Sequence, residues 1–261
     1  MKAKTELFLY QCLWVTDVMF RPTWRSLTGS FEEWSYRSGL LRQIQRLEAE
    51  GWVESRMGPD KTERVLRLTE KGCLKALGGR HPEERWNRSW DGKWRMILFD
   101  LPEEKRGLRN ELRKQLKAAH FGGLQLSAWI TPDPLDPLVE SLKKITAESG
   151  VLTFFEGATC GGASPQELVA GAWDFEKINN AFEDHDNHLG TLPHPEQKGF
   201  RDLLLEWARE EKQSWSHCMT LDPLLPRALW PKGYRGETAW KNRTSTLRRA
   251  GSLATQTCDN H

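Results

Sequence analysis

The chain has 261 residues, of which 38% are hydrophobic and 28% charged, with 38 Lys and Arg against 36 Asp and Glu. That length favours two or three domains, and the composition excludes a disordered chain. A net charge of +2 excludes a bulk polycation, so any nucleic-acid role has to come from local arrangement.

The run Leu7 to Val18 is interrupted by Tyr10, Gln11 and Asp17 and no small-residue cleavage site follows, so it reads as a helix of the mature protein. Its apolar positions predict a first helix over residues 5 to 20, and Thr23 to Leu27 a short second one. The third is clearer. Leu40, Ile44 and Leu47 form an apolar stripe within a helix of about residues 34 to 50, ended by Glu50-Gly51. Trp52 to Arg56 and Glu63 to Leu68 are two extended runs joined by the turn formers Met57 to Lys61, which predicts a hairpin, and Thr69 to Gly72 starts another helix. Helices followed by a hairpin describe a winged helix over residues 1 to 80.

In such a fold the second helix of the motif enters the major groove, where Arg and Gln meet base edges and neighbouring basic groups meet phosphates. Tyr36, Arg37, Arg42, Gln43 and Arg46 are the expected DNA-facing side chains, Ser35 and Ser38 the phosphate contacts, and Arg56, Lys61 and Arg64 the charges of the wing.

A block from Trp90 to Glu104 opens the second unit, its Met96 to Phe99 reading as a buried strand stopped by Pro102. Residues 103 to 119 predict a charged amphipathic helix with Leu108, Leu112 and Leu116 on one face. Leu124 to Thr131 is expected as a second strand, Pro137 to Ala147 as a second helix and Val151 to Phe155 as a third strand. That order suggests a ferredoxin-like α/β layer over residues 90 to 160. Ala172 to His185 and Gly199 to Trp215 predict a helical third domain over 165 to 245; the tail beyond Trp240 is polar, and its last ten residues lack periodicity and are expected to fray. The fold class is thus α+β.

No Gly-x-Ser-x-Gly elbow or Walker-type loop is present, and no cofactor is expected. The five cysteines form no Cys-x-x-Cys pair and suit a reducing cytoplasm. His185, Asp186 and His188 lie close together but lack a third ligand at fixed spacing, and are read as loop residues at a polar helix end. Trp173, Phe175, Phe182, Trp207 and Trp215 are candidates for an aromatic acyl pocket and Arg201, Arg209 and Lys212 for phosphate contacts. Each is more simply read as helix packing or solvated charge.

The segments Leu40 to Trp52, Trp90 to Pro102, Phe121 to Pro132, Ala172 to Phe182 and Asp222 to Trp240 together resemble the phenylacetic acid degradation repressor (PaaX-like) family of bacterial regulators. The resemblance implies a winged helix, a middle domain similar to CRISPR-associated ferredoxin-like proteins, and a helical C-terminal domain. It also implies a homodimeric repressor that binds double-stranded operator DNA at a catabolic promoter, is released by an aryl-acetyl coenzyme A thioester, and is not an enzyme. In the CRISPR-associated relatives an acidic residue proposed to bind a metal stands where Asp100 does here, so a metal-dependent nuclease is the alternative. Glu103 and Glu104 have the simpler job of complementing a helix N-terminus. The expected setting is cytoplasmic, without a membrane partner.

Overall fold

The computed structural model describes residues 40–57, 64–69, 71–72, 80–135, 142 and 151–259. The helices expected over 5 to 20 and 23 to 27 and the turn residues 58 to 61 lie outside the described residues, as does the helix expected over 137 to 147 apart from Leu142. The chain forms two compact units: one takes residues up to His81 with Phe182–His217 and Gly236–His261, the other Pro82–Ala181 and Cys218–Arg235.

The second of these units is built on a four-stranded sheet of β3 (Trp94–Asp100), β4 (Gly122–Gln125), β5 (Ala128–Thr131) and β6 (Val151–Gly157). Their order is β4-β5-β3-β6 and every pair is antiparallel. β3 lies inside the sheet, opposite Thr131 to Ala128 on one side and Gly157 to Val151 on the other. Ile97 and Phe99 on one face are buried in the core, while Met96 and Leu98 on the other are half-buried, which matches its nearly continuous apolar sequence.

A short helix, α2 (Pro82–Asn87), precedes β3, and after Leu101-Pro102 a 3-10 turn, Glu103–Lys105, leads into α3 (Arg106–Ala118). Leu112 and Leu116, one turn apart, are fully buried with Ile97, Phe99, Leu101, Phe121, Trp129 and Leu142, and Leu108 packs against the same core. Arg109 fastens the entry, donating to the Leu101 carbonyl at 3.1 Å and pairing with Glu103 at 2.9 Å.

The expectation of a single strand from Leu124 to Thr131 is corrected: β4 and β5 are the two arms of a hairpin, turning at Leu126-Ser127. Leu126 is 76% exposed at the tip, and an apolar turn residue is what disguised the break. The short arm begins at Gly122 because Trp173 and Ala172 lie directly over it.

The helix expected from Ala172 to His185 starts three residues later and is α5 (Phe175–Leu189), and a short helix that was not expected, α4 (Pro165–Ala172), precedes it. α4 starts on a capping box: Ser164 Oγ accepts from the Glu167 amide at 3.2 Å, while Glu167 accepts from the Ser164 amide at 2.7 Å, and Pro165 takes the first helical position. α5 starts anew because Asp174 Oδ1 accepts from the Lys177 amide at 2.9 Å.

Arg95 is nearly buried on β3 and is held by Asp91 and Glu156, the latter at 3.0 Å. The Arg95 hydrogen bond is the main reason the Asp91 carboxyl falls to about 2. The segment Asp222 to Tyr234 closes on this unit through polar contacts. Asp222, fully buried, accepts from Tyr234 Oη at 2.5 Å, and Tyr234 Oη in turn accepts from the buried Trp86 indole at 3.0 Å. Trp230 stands edge-on to Trp86 at 5.8 Å.

The first unit contains α1 (Leu40–Ala49), the hairpin β1 (Val53–Met57) and β2 (Arg64–Leu68), the C-terminal part of α5, most of α6 (Phe200–Leu221), and α7 (Gly236–Asp259). Leu189, Phe200, Leu204, Trp207, Ala208, Leu247 and Ala250 form one buried cluster. α7 corrects the reading of the last ten residues as non-periodic: the helix runs to Asp259. Its core face, Ala239, Arg243, Leu247 and Ala250, has Leu247 as its one large apolar residue, so hydrophobic periodicity understates it. No described helix is long and apolar enough to cross a membrane.

Candidate functional site

α1 ends at Gly51, whose φ of 71° is the left-handed conformation that glycine adopts without steric penalty. The chain then enters β1, paired with β2 from Val53 opposite Leu68 to Met57 opposite Arg64. Leu47 and Val53 are buried at this junction. Thr69 ties the end of the hairpin back to its start: its hydroxyl donates to the Gly51 carbonyl at 2.7 Å and accepts from the Gly72 amide at 3.1 Å. Lys71 donates to the Glu50 carbonyl at 2.9 Å and lies 4.4 Å from the Trp52 ring centre.

Of the ten candidate DNA contacts, Arg46 has a described side chain. It is exposed on α1 and donates through Nε to Glu50 at 2.6 Å. Glu50 also accepts from the Trp52 indole at 3.0 Å, and these two bonds hold its carboxyl below the ordinary range. Glu50, which ends the helix, thereby also orients Arg46. Arg42 and Gln43 fall on α1, and Arg56 and Arg64 on the hairpin strands, with only their backbone positions described. Ser35, Tyr36, Arg37, Ser38 and Lys61 lie outside the described residues.

The aromatic candidates divide between the two units. Trp173 packs over Gly122 and donates to the His120 carbonyl at 3.1 Å, and Phe175 stands edge-on to Tyr234 at 5.8 Å. Both belong to the sheet unit. In the other unit Phe182 lies 6.0 Å from Trp215, while Trp207 stacks on His188 at 5.7 Å and donates to its carbonyl at 3.2 Å. These are packing roles. Arg209 is exposed and Lys212 half-buried, and only the backbone of Arg201 is described.

A groove of about 450 Å³ does open beside Trp207, between Leu192, Pro193 and Leu203. Its bordering charges are Glu206 and Glu210. Two carboxylates are the wrong sign for coenzyme phosphates.

Sequence reasoning missed the most heavily buried charges. His185 is not a loop residue: it sits inside α5, fully buried, with Glu211 of α6 and Arg243 of α7. Arg243 Nε donates to Glu211 Oε1 at 2.7 Å, and its guanidinium lies 4.7 Å from the Trp215 ring centre. Burial raises the Glu211 carboxyl, and Arg243 opposes that rise. His185 Nδ1 meets Ser214 Oγ at 3.3 Å, while its Nε2 stands 3.6 Å from Glu211, beyond hydrogen-bond length.

Burial first, then the charge of Arg243 and then that of His188, push His185 down to about 3 from 6.5. The imidazole is therefore neutral. The unfolded chain takes up this proton near the ordinary histidine value and the folded chain only near the depressed one. Unfolding thus binds a proton across that window, and stability falls as pH drops below about 6.5, by at most about 1.4 kcal/mol per unit. Glu211, being raised, acts oppositely and loses its contribution as pH rises. Between pH 7 and 5 the wild type is expected to lose about 2 kcal/mol more than His185→Gln by urea denaturation. Equal losses in the two proteins would show that His185 titrates normally.

Asp100 is exposed at the end of β3, opposite Val151. Among the described residues no group of three His, Cys, Asp or Glu side chains has the geometry to hold a metal ion.

The geometry defines an α+β protein, one unit of which is built on an antiparallel sheet. Residues 87–169 match the family described as the PaaX protein central Cas2-like domain, so the resemblance to the PaaX-like family holds over the segment from Asn87 to Val169. A solved structure, the uncharacterized protein Rv0674 from Mycobacterium tuberculosis, is similar with a TM-score of 0.50 and 18% identity, covering 84% of each chain. At that identity the likeness is one of fold. No curated protein matches the sequence.

Proposed function

We propose that this chain is a PaaX-type transcription regulator: a cytoplasmic, homodimeric repressor, not an enzyme, that binds operator DNA upstream of a catabolic operon. The observation that carries the reading is the match of residues 87–169 to the central Cas2-like domain of PaaX proteins. In sequence order the proposal takes 1–80 as a winged helix, 90–160 as a ferredoxin-like domain and 165–245 as a helical domain. A helix, α1, joined to an antiparallel hairpin through Gly51 supports the first, and the strand order β4-β5-β3-β6 the second.

In this reading α1 meets base edges through Arg42, Gln43 and Arg46, and the hairpin meets phosphates through Arg56, Lys61 and Arg64. The effector is an aryl-acetyl coenzyme A thioester bound away from the groove at Glu206 and Glu210, and it releases DNA by preferring the non-binding state. The test is binding of the full chain to a duplex from its own upstream region. Binding is expected to weaken with salt and to fall by about 10-fold to 100-fold in Arg42→Ala/Arg46→Ala, on the scale of one or two lost base or phosphate contacts. Wild-type affinity in that double variant would remove α1 from the interface, and failure to bind any duplex would remove the reading.

A further inference from the structure

The excess positive charge in the described sheet unit is concentrated on one helix. α3 carries Arg106, Arg109, Arg113, Lys114 and Lys117 against the single acid Glu111. That is an excess of four (five minus one) in 13 residues, whereas all 261 residues together reach only +2. At about 100° per residue, Arg113, Arg106, Lys117 and Lys114 fall within an arc of about 100°, with Asn110 among them. The buried Leu112 and Leu116 lie on the far side, fixed in the core.

Internal pairing does not consume this charge. Glu111 accepts from Gln115 at 3.2 Å rather than bonding to a cation, and Arg109 is committed to Glu103. Arg113 spends its Nε on the Leu126 carbonyl at 3.0 Å. Arg106, Lys114 and Lys117 are exposed, and among the described residues they have no ion-pair partner. A solvated helix face that served only solubility would gain from interleaved acids at i,i+4 spacing. Here the acids are missing where they would compete with an anionic partner, and Arg106 and Lys117 stand about 16 Å apart along the axis, a span that covers several backbone phosphates.

We infer that the exposed face of α3 is a second DNA-binding surface, which meets the phosphate backbone of duplex DNA without reading bases. The inference rests on the proposed DNA-binding function and adds to it a contact made by the central domain. Its chemistry is three point charges on flexible or forked side chains, which suits phosphates of any sequence. It therefore predicts a contribution to affinity that is the same for operator and non-operator duplexes.

The experiment measures binding of the full chain to a fluorescent upstream duplex and to an unrelated duplex of equal length, from 50 to 300 mM KCl. Arg106→Gln/Lys114→Gln/Lys117→Gln is compared with wild type and with Arg248→Gln/Arg249→Gln, which removes exposed charge from α7. Circular dichroism checks that the folds are intact. In the α3 triple variant the slope of log affinity against log salt is expected to shrink by about 2 to 3, at about 0.9 per lost phosphate contact. Affinity at 150 mM is expected to fall about 10-fold or more on both duplexes, with the α7 variant unchanged. An unchanged slope in the α3 variant, or an equal loss in the α7 variant, overturns this inference and leaves the regulator reading standing. Absence of duplex binding by wild type overturns the regulator reading itself, and selective loss on the upstream duplex alone would make α3 a base reader and overturn the inference.

Discussion

Arg243→Met is expected to lower the unfolding free energy by about 3 to 5 kcal/mol, the usual consequence of removing one partner of a buried ion pair. Glu211 and Arg243 are almost completely removed from solvent, on neighbouring helices of one unit, and are joined by a 2.7 Å hydrogen bond. Without the guanidinium the Glu211 carboxylate has no cation to offset its desolvation. His185 cannot substitute, because burial keeps it neutral. The carboxyl of the variant will take up a proton instead, so the deficit should grow as pH rises from 5 to 8. The paired change Arg243→Met/Glu211→Leu removes both charges and should recover most of the loss, since a buried pair and a packed apolar pair are often close in stability. Urea denaturation of the single and double variants decides it. A loss below about 1 kcal/mol in Arg243→Met would mean that water reaches the pair.

Gly122→Ala is expected to cost about 2 to 3 kcal/mol although it adds one methyl group. A β-carbon built on Gly122 would stand 2.7 Å from Ala172 Cβ and 2.7 Å from two atoms of the Trp173 ring. Neither neighbour is free to swing away: Ala172 is the last residue of α4, and Trp173 is buried with its indole bonded to the His120 carbonyl. Accommodation therefore has to move α4 off β4, opening the close packing between them. Gly123, one residue on, would place its β-carbon 3.6 Å from Trp129, an ordinary contact, so Gly123→Ala is the matched control. The denaturation midpoint should drop in Gly122→Ala and stay within about 0.5 kcal/mol equivalent in Gly123→Ala, as for a surface change. Equal midpoints would show that α4 does not sit against β4.

Much of the sheet domain was legible because its signals are local. The apolar run of β3, the stop at Pro102 and the Leu108, Leu112, Leu116 spacing of α3 each name their element within a few residues. The same holds for the helix that closes at Gly51 and the two extended runs that pair as β1 and β2. Two further local signals mark helix starts: Ser164-Pro165 with Glu167 announces α4, and Asp174 announces α5. The hairpin of β4 and β5 was harder, because its turn carries an exposed leucine in place of a turn former and its first arm is set by the approach of Trp173.

The candidate DNA interface follows from charge and spacing along α1, and the basic stripe of α3 could have been found in the same way. Residue order alone therefore determined the α+β class, the main strands and helices of the central domain, the family resemblance and the helix nominated to meet DNA. All of these depend on periodicity, turn chemistry and local charge. Only the tertiary structure decided that the aromatic candidates are packing residues spread over two units, that α7 continues to Asp259 with few large apolar residues on its buried face, and that His185, Glu211 and Arg243 meet in a buried cluster. Those outcomes depend on which side chains from distant segments exclude water from one another, and no spacing along the chain encodes that exclusion.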